Sequence, residues 1–134
     1  MNKKFRVWDI QDKSFYSLEY LREFKVSISF DGQTIDQDFW GGTKTIGEDV
    51  IVQHYIGLSD KNGIEIYEGD IIQYNVGSSY DNISFVVKWC SDSLSWIFQS
   101  ESGEVLTNCW TPNGNRFNFI EIKGNIFENP ELLK

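Results

Sequence analysis

A chain of 134 residues supports one hydrophobic core and would leave two independent cores each marginal. Its 40% hydrophobic content, rich in large rings with ten Phe, six Tyr and five Trp, excludes a disordered chain. Twenty acidic against twelve basic residues give a formal charge of −8, which repels phosphate backbones and anionic lipid and so disfavours general nucleic-acid or membrane binding.

The basic residues nearest to a run, Lys3, Lys4 and Arg6, read as a solvated terminus. They lead straight into Phe5-Arg6-Val7-Trp8-Asp9 without the apolar core of a signal peptide, and no apolar run reaches membrane-spanning length. A cytoplasmic protein in a bacterial host is the expectation. Ser14 to Leu21 fits either a strand or a short helical face through Phe15, Leu18 and Leu21, and its Phe and Tyr content favours strand. Phe24 to Phe30 alternates, with Phe24, Val26, Ile28 and Phe30 on one face and Lys25, Ser27 and Ser29 on the other, the pattern of a half-buried strand. Asp31-Gly32 supplies a turn, Thr34 to Trp40 returns as the partner strand, and Gly41 to Lys44 reads as a loop or bulge.

Val50 to Leu58 is a β-branched stretch ending in Ser59-Asp60-Lys61-Asn62-Gly63, where Asn and Gly supply the left-handed backbone angles of a tight turn. Ile64 to Tyr67 completes a hairpin. Gly69, within Glu68-Gly69-Asp70, marks a bulge or bend before Ile71 to Tyr74. Val76 to Asn82 is a polar loop, Ile83 to Trp89 a strand, and Ser93 to Gln99 a strand with Leu94, Trp96 and Phe98 on one face. Ser102-Gly103 turns the chain towards Val105 and Leu106, and Thr111 to Asn115 is another turn. Phe117 to Ile122 is the last strand, and Pro130 opens a short helical turn.

These signals predict a mainly β fold: a single compact domain over 1–134 of short antiparallel strands forming a partly open, SH3-like barrel or sandwich, with little helix and a short C-terminal helical turn.

Candidate chemistry is sparse. His54 is the single histidine, in a predicted strand, and the little perturbing chemistry around it favours a structural or half-exposed role over catalysis. Cys90 and Cys109 are too few and too widely spaced for a disulfide framework or a metal knuckle, and neither lies in a glycine-rich nucleophile turn. Glu65, Glu68 and Asp70 form an acidic group, with Glu68 and Asp70 on one side of an extended chain, but a cation needs more ligands than this segment offers. Gly57, Gly63 and Gly69 lack the Gly-Lys-Ser or Gly-Lys-Thr step of a phosphate loop. Trp89, Trp96 and Trp110 have the rings of stacking platforms without the accompanying basic track, which favours core packing for most of these rings. Catalytic residues, metal ligands and cofactors are therefore none in this reading.

Lys4 to Asp9, Gln53 to Ile72 and Ile122 to Leu133, taken together, resemble the YopX family of bacteriophage and prophage proteins. Lys4-Phe5-Arg6-Val7-Trp8-Asp9 is similar to that family's opening strand, with Phe5, Trp8 and Asp9 as motif positions. Gln53 to Ile72 matches its central hallmark through Gly57-Leu58, the turn residues Asp60, Asn62 and Gly63, and the step Tyr67-Glu68-Gly69-Asp70. Ile122 to Leu133 is close to the family's ending through Gly124-Asn125 and Asn129-Pro130. Ile56 stands where the family often has a small polar residue and Phe127 where Tyr is common, and 14–49 and 75–118 carry no assigned resemblance. The resemblance implies a phage-derived or prophage-derived protein without catalytic residues to carry across, its motif positions serving as fold determinants. The expected function is that of a noncatalytic accessory protein acting through protein contacts or self-association. The alternative, a nucleic-acid-associated small barrel, has the net charge against it.

Overall fold

The computed structural model describes residues 4–37, 42–106 and 114–133. Strand dominates, the sheets are antiparallel with one curled as a half-barrel, and among the described residues a 3-10 turn over Pro130–Leu133 comes last, so the fold class is the mainly β one that the turn spacing predicts. Two compact units divide the chain, Lys4–Gln53 and His54–Lys134. Among the described residues no helix is long and apolar enough to cross a membrane.

In the first unit β1 (Phe5–Asp9) pairs with β2 (Ser14–Phe15), Trp8 lying opposite Phe15. A helix, α1 (Leu18–Glu23), then stands where strand was expected through Leu21. The reason is local: the Ser17 hydroxyl accepts from the Tyr20 backbone N–H at 3.1 Å, capping the helix, and Glu19 sits in its positive first turn. Capping decides between two periodicities that the apolar spacing alone left balanced.

The helix end also overturns the long alternating strand expected over Phe24 to Phe30. Phe24 caps the helix and Lys25 takes φ +48°, so only Ser27–Ile28 remains as β3. Val26 and Ile28 still pack on the core, whereas Phe30 sits fully exposed in the turn that leads to β4 (Thr34–Gln37). The chain at Gly42–Thr45, expected as loop or bulge, is instead β5, paired residue for residue with β4. The end of the predicted return strand, 38–40, lies outside the described residues. Val7, Ile35 and Val50 form this unit's buried centre.

Strand β6 (Val50–Ser59) begins in the first unit and ends in the second, where β7 (Glu65–Tyr67) folds back on it through the Asn62-Gly63 turn, Gly63 at φ +81°. Four further strands form a sheet in the order β10-β9-β8-β11: β8 (Asp70–Tyr74), β9 (Ser84–Cys90), β10 (Ser95–Ser100) and β11 (Ile120–Asn125). Cross-strand register lines up the interior, with Ile122 opposite Ile72, Ile72 opposite Phe85, and Val87 opposite Phe98. Phe85, Ile72 and Val87 are buried with Ile66, Leu106, Phe117 and Ile120 in one cluster.

Two details depart from the sequence reading here. Leu94 does not share a face with Trp96 and Phe98; it sits in the β9–β10 turn at φ +52° with 74% of its surface exposed, because the hairpin reverses there. The last strand starts at Ile120 rather than Phe117, since the Phe117 N–H donates to the Ser59 carbonyl at 2.9 Å and its ring joins the core edge-on to Phe98.

Candidate functional site

Most of the motif residues singled out in the sequence meet in the second unit, around two turns and the end of β11. Asp60 stands at the centre of the first. It is fully buried, yet its carboxylate is well partnered: Oδ1 accepts from the backbone N–H groups of Asn62 and Ile64, each at 2.9 Å, and Oδ2 accepts from the Ile122 N–H on β11 at 3.1 Å. Aspartate suits the position because a short, charged acceptor reaches the amides of its own turn and still has an oxygen for a distant strand. The backbone adds to this, the Lys61 N–H donating to the Ile120 carbonyl at 2.8 Å.

The Tyr67-Glu68-Gly69-Asp70 step is the second turn. Gly69 has φ +83°, a conformation that L side chains rarely adopt. There its N–H donates to the Val87 carbonyl of β9, its carbonyl accepts from the Ile126 N–H, and the neighbouring Glu68 N–H donates to the His54 carbonyl, each at 2.9 Å. The reversal at Gly69 also breaks the alternation that would set Glu68 and Asp70 side by side on an extended chain. Asp70 is buried, and its Oδ2 accepts from the Tyr67 N–H at 2.8 Å, closing the turn.

Asn125 pairs with Asp70 in the β8–β11 register and starts the C-terminal turn. Its Oδ1 accepts from the Phe127 and Glu128 N–H groups at 3.1 and 2.9 Å, and its Nδ2 donates to Glu128 Oε1 at 2.8 Å. Asn129 folds back so that its Oδ1 accepts from the Asn125 N–H at 3.2 Å, which presses its side chain onto Gly124. Pro130 then opens the 3-10 turn. Gly57, at φ +91°, and Leu58, packed on the core, belong to β6 of the same unit.

The remaining motif residues lie in the first unit. Phe5 packs on Val7 and Ile35, and buried Trp8 meets Phe15 edge-on at 4.9 Å between ring centres. Buried Asp9 accepts from the Asp12 N–H at 2.8 Å and the Tyr16 hydroxyl at 3.2 Å, with Lys44 Nζ 3.8 Å away. An open depression of about 410 Å³ lies over Asp9 and Lys44, rimmed by Thr43, Glu48 and Asp49. The Asp12 amide above all, then the Tyr16 hydroxyl and Lys44, hold the Asp9 carboxyl below its ordinary range against the opposing cost of burial. Burial raises the Tyr16 phenol, and the Tyr16 hydroxyl raises Lys44. At neutral pH the group is therefore an anion, a cation and a neutral phenol, each held in its ordinary state, an arrangement suited to fixing β1 and β5 rather than to moving a proton.

A pH dependence follows. Folding depresses the Asp9 pKa below its ordinary 3.8, so between the folded value and 3.8 the unfolded chain binds more protons than the folded one. The stabilisation it contributes is complete above 3.8 and lost as pH falls through the folded value. Denaturant melts at successive pH values should show the wild type losing more stability on acidification than Asp9→Asn; parallel curves would contradict this. Sequence reasoning missed Tyr16 and Lys44, for nothing local to either marks it, and only the packing of β2 and β5 brings them to Asp9.

The YopX protein family model matches residues 4–134. This chain belongs to the YopX family. Among solved structures, it is similar to protein EF1440 from Enterococcus faecalis, with 27% identity, a TM-score of 0.62, and coverage of 98% of this chain and 97% of that one. It also resembles protein yopX from Bacillus subtilis, at 20% identity and TM-score 0.60 over the whole of both chains, a likeness of fold. No curated protein matches it significantly.

In this YopX family member the groups raised for bond-making chemistry are dispersed or already engaged. His54 is exposed on β6. The Cys90 thiol is half-buried at the end of β9, held below its usual range by the Ser93 hydroxyl of its own hairpin. Cys109 and Trp110 lie outside the described residues. Among those residues no three His, Cys, Asp or Glu side chains are grouped to hold a metal ion. Trp89 and Trp96, opposite each other on β9 and β10, form an edge-on pair at 5.2 Å, with Trp89 48% exposed and Leu94 exposed in the turn between the two strands. A shallow depression of about 480 Å³ with a mixed polar and apolar lining lies on the unit, bounded by Ile83, Ser84, Ser100, Glu101, Leu132 and Leu133.

Proposed function

We propose that this chain is a noncatalytic accessory protein of a phage or prophage that works in the bacterial cytoplasm through protein contacts, including contacts with its own copies. The observation that carries the reading is the exposure of two large apolar side chains on the β9–β10 hairpin, one on β9 and one in its turn. There Trp89 and Leu94 are exposed at 48% and 74%, and the edge-on partnership with Trp96 fixes the Trp89 ring. A tryptophan already held in place loses little freedom on binding, and buried aromatic anchors dominate protein interfaces. Support for the phage or prophage setting comes from the YopX resemblance. Support for a noncatalytic role comes from the motif carboxylates: Asp60 and Asp70 serve backbone amides, and Asp9 is held ionised.

Size-exclusion chromatography with light scattering tests the self-association. The wild type should show a mass that rises with concentration across the micromolar range, and Trp89→Ser/Leu94→Ser should return a monomer with unchanged far-UV circular dichroism. A wild type that stays monomeric throughout that range would remove the self-association, and equal masses for wild type and variant would remove the hairpin from it.

A further inference from the structure

We draw no further inference here: the strongest candidate beyond the surface already described, the fully exposed Phe30 in the β3–β4 turn, is a single apolar side chain, and nothing in the structure shows what covers it.

Discussion

Replacing Asp60 with alanine should destabilise the protein by about 3–5 kcal/mol, because three backbone N–H groups each lose a hydrogen bond to a charged acceptor worth roughly 1.5–3 kcal/mol and water at the exposed turn recovers part of the loss. The substitution strips an acceptor from the N–H groups of Asn62, Ile64 and Ile122, three part-buried bonds that converge on a fully buried carboxylate. A loss of that size is a large part of the roughly 5–15 kcal/mol that holds a typical domain together. Asp60→Asn is the sharper probe because it keeps shape and volume. Its single amide oxygen can serve the turn or β11, and whichever side meets the NH2 group then faces donor against donor. We expect the asparagine variant to lose roughly 2–3 kcal/mol, between a neutral hydrogen-bond deletion and the loss of a buried charge.

Urea melts read this directly. The midpoint should fall while the slope stays constant, since the surface exposed on unfolding is unchanged. Amide exchange locates the damage: Ile122 and Ile64 should lose protection beyond their neighbours, because the carboxylate ties the β6–β7 turn to β11. An asparagine variant within 0.5 kcal/mol of wild type would show that Asp60 is a passive occupant of its turn.

The second large effect is expected at Gly124, for steric rather than conformational reasons. A methyl group there would lie 2.6 Å from Asn129 Cγ and 2.8 Å from Asn129 Cβ. A terminal amide could swing aside, but Cβ is fixed to the backbone, so the C-terminal turn itself has to move. That movement would pull Asn129 Oδ1 from the Asn125 N–H and disturb the turn that Asn125 holds through Phe127 and Glu128. Gly124→Ala should cost about 1–3 kcal/mol, the range for overpacking a well-filled site.

A double-mutant cycle separates this clash from any general dislike of alanine in β11, where the pairing with β8 shifts register between Ile122 and Gly124. Asn129→Gly alone should be mildly destabilising, since it removes one hydrogen bond and loosens the turn. In its background the three side-chain atoms nearest the added methyl are gone, so the cost of Gly124→Ala should shrink by more than about 1 kcal/mol, a coupling typical of residues in contact. Additive costs would place the constraint in the backbone at Gly124 instead. The two sites are also related. Asp60 holds β11 at Ile122 and Asn129 holds it at Asn125, so both predictions concern how the last strand is pinned.

Turn chemistry in this chain is legible residue by residue. Asn62-Gly63 marks a hairpin because its angles are intrinsic to those residue types, and Gly69 marks a reversal for the same reason. Strand alternation is legible where both faces have neighbours, as across Phe85, Val87 and their β8 and β10 partners. It misled between Phe24 and Phe30, where a perfect two-residue period is cut short by a helix end and a left-handed Lys25. The signal that would have corrected it is the Ser17 cap, a single side chain competing with seven residues of pattern.

What the sequence alone determines about this protein is therefore its class, its turns and its family, since each depends on short-range backbone preference or on a string of residue identities. The tertiary structure decides what those residues are for. The Asp60 carboxylate reaches across 62 positions to the Ile122 amide, Gly124 leaves the space that Asn129 fills, and Lys44 comes to Asp9 only because β5 packs beside it. Turn propensity acts over a few bonds and can be read in order, whereas the partner of a buried polar group is set by where the chain returns, and local sequence carries no record of that.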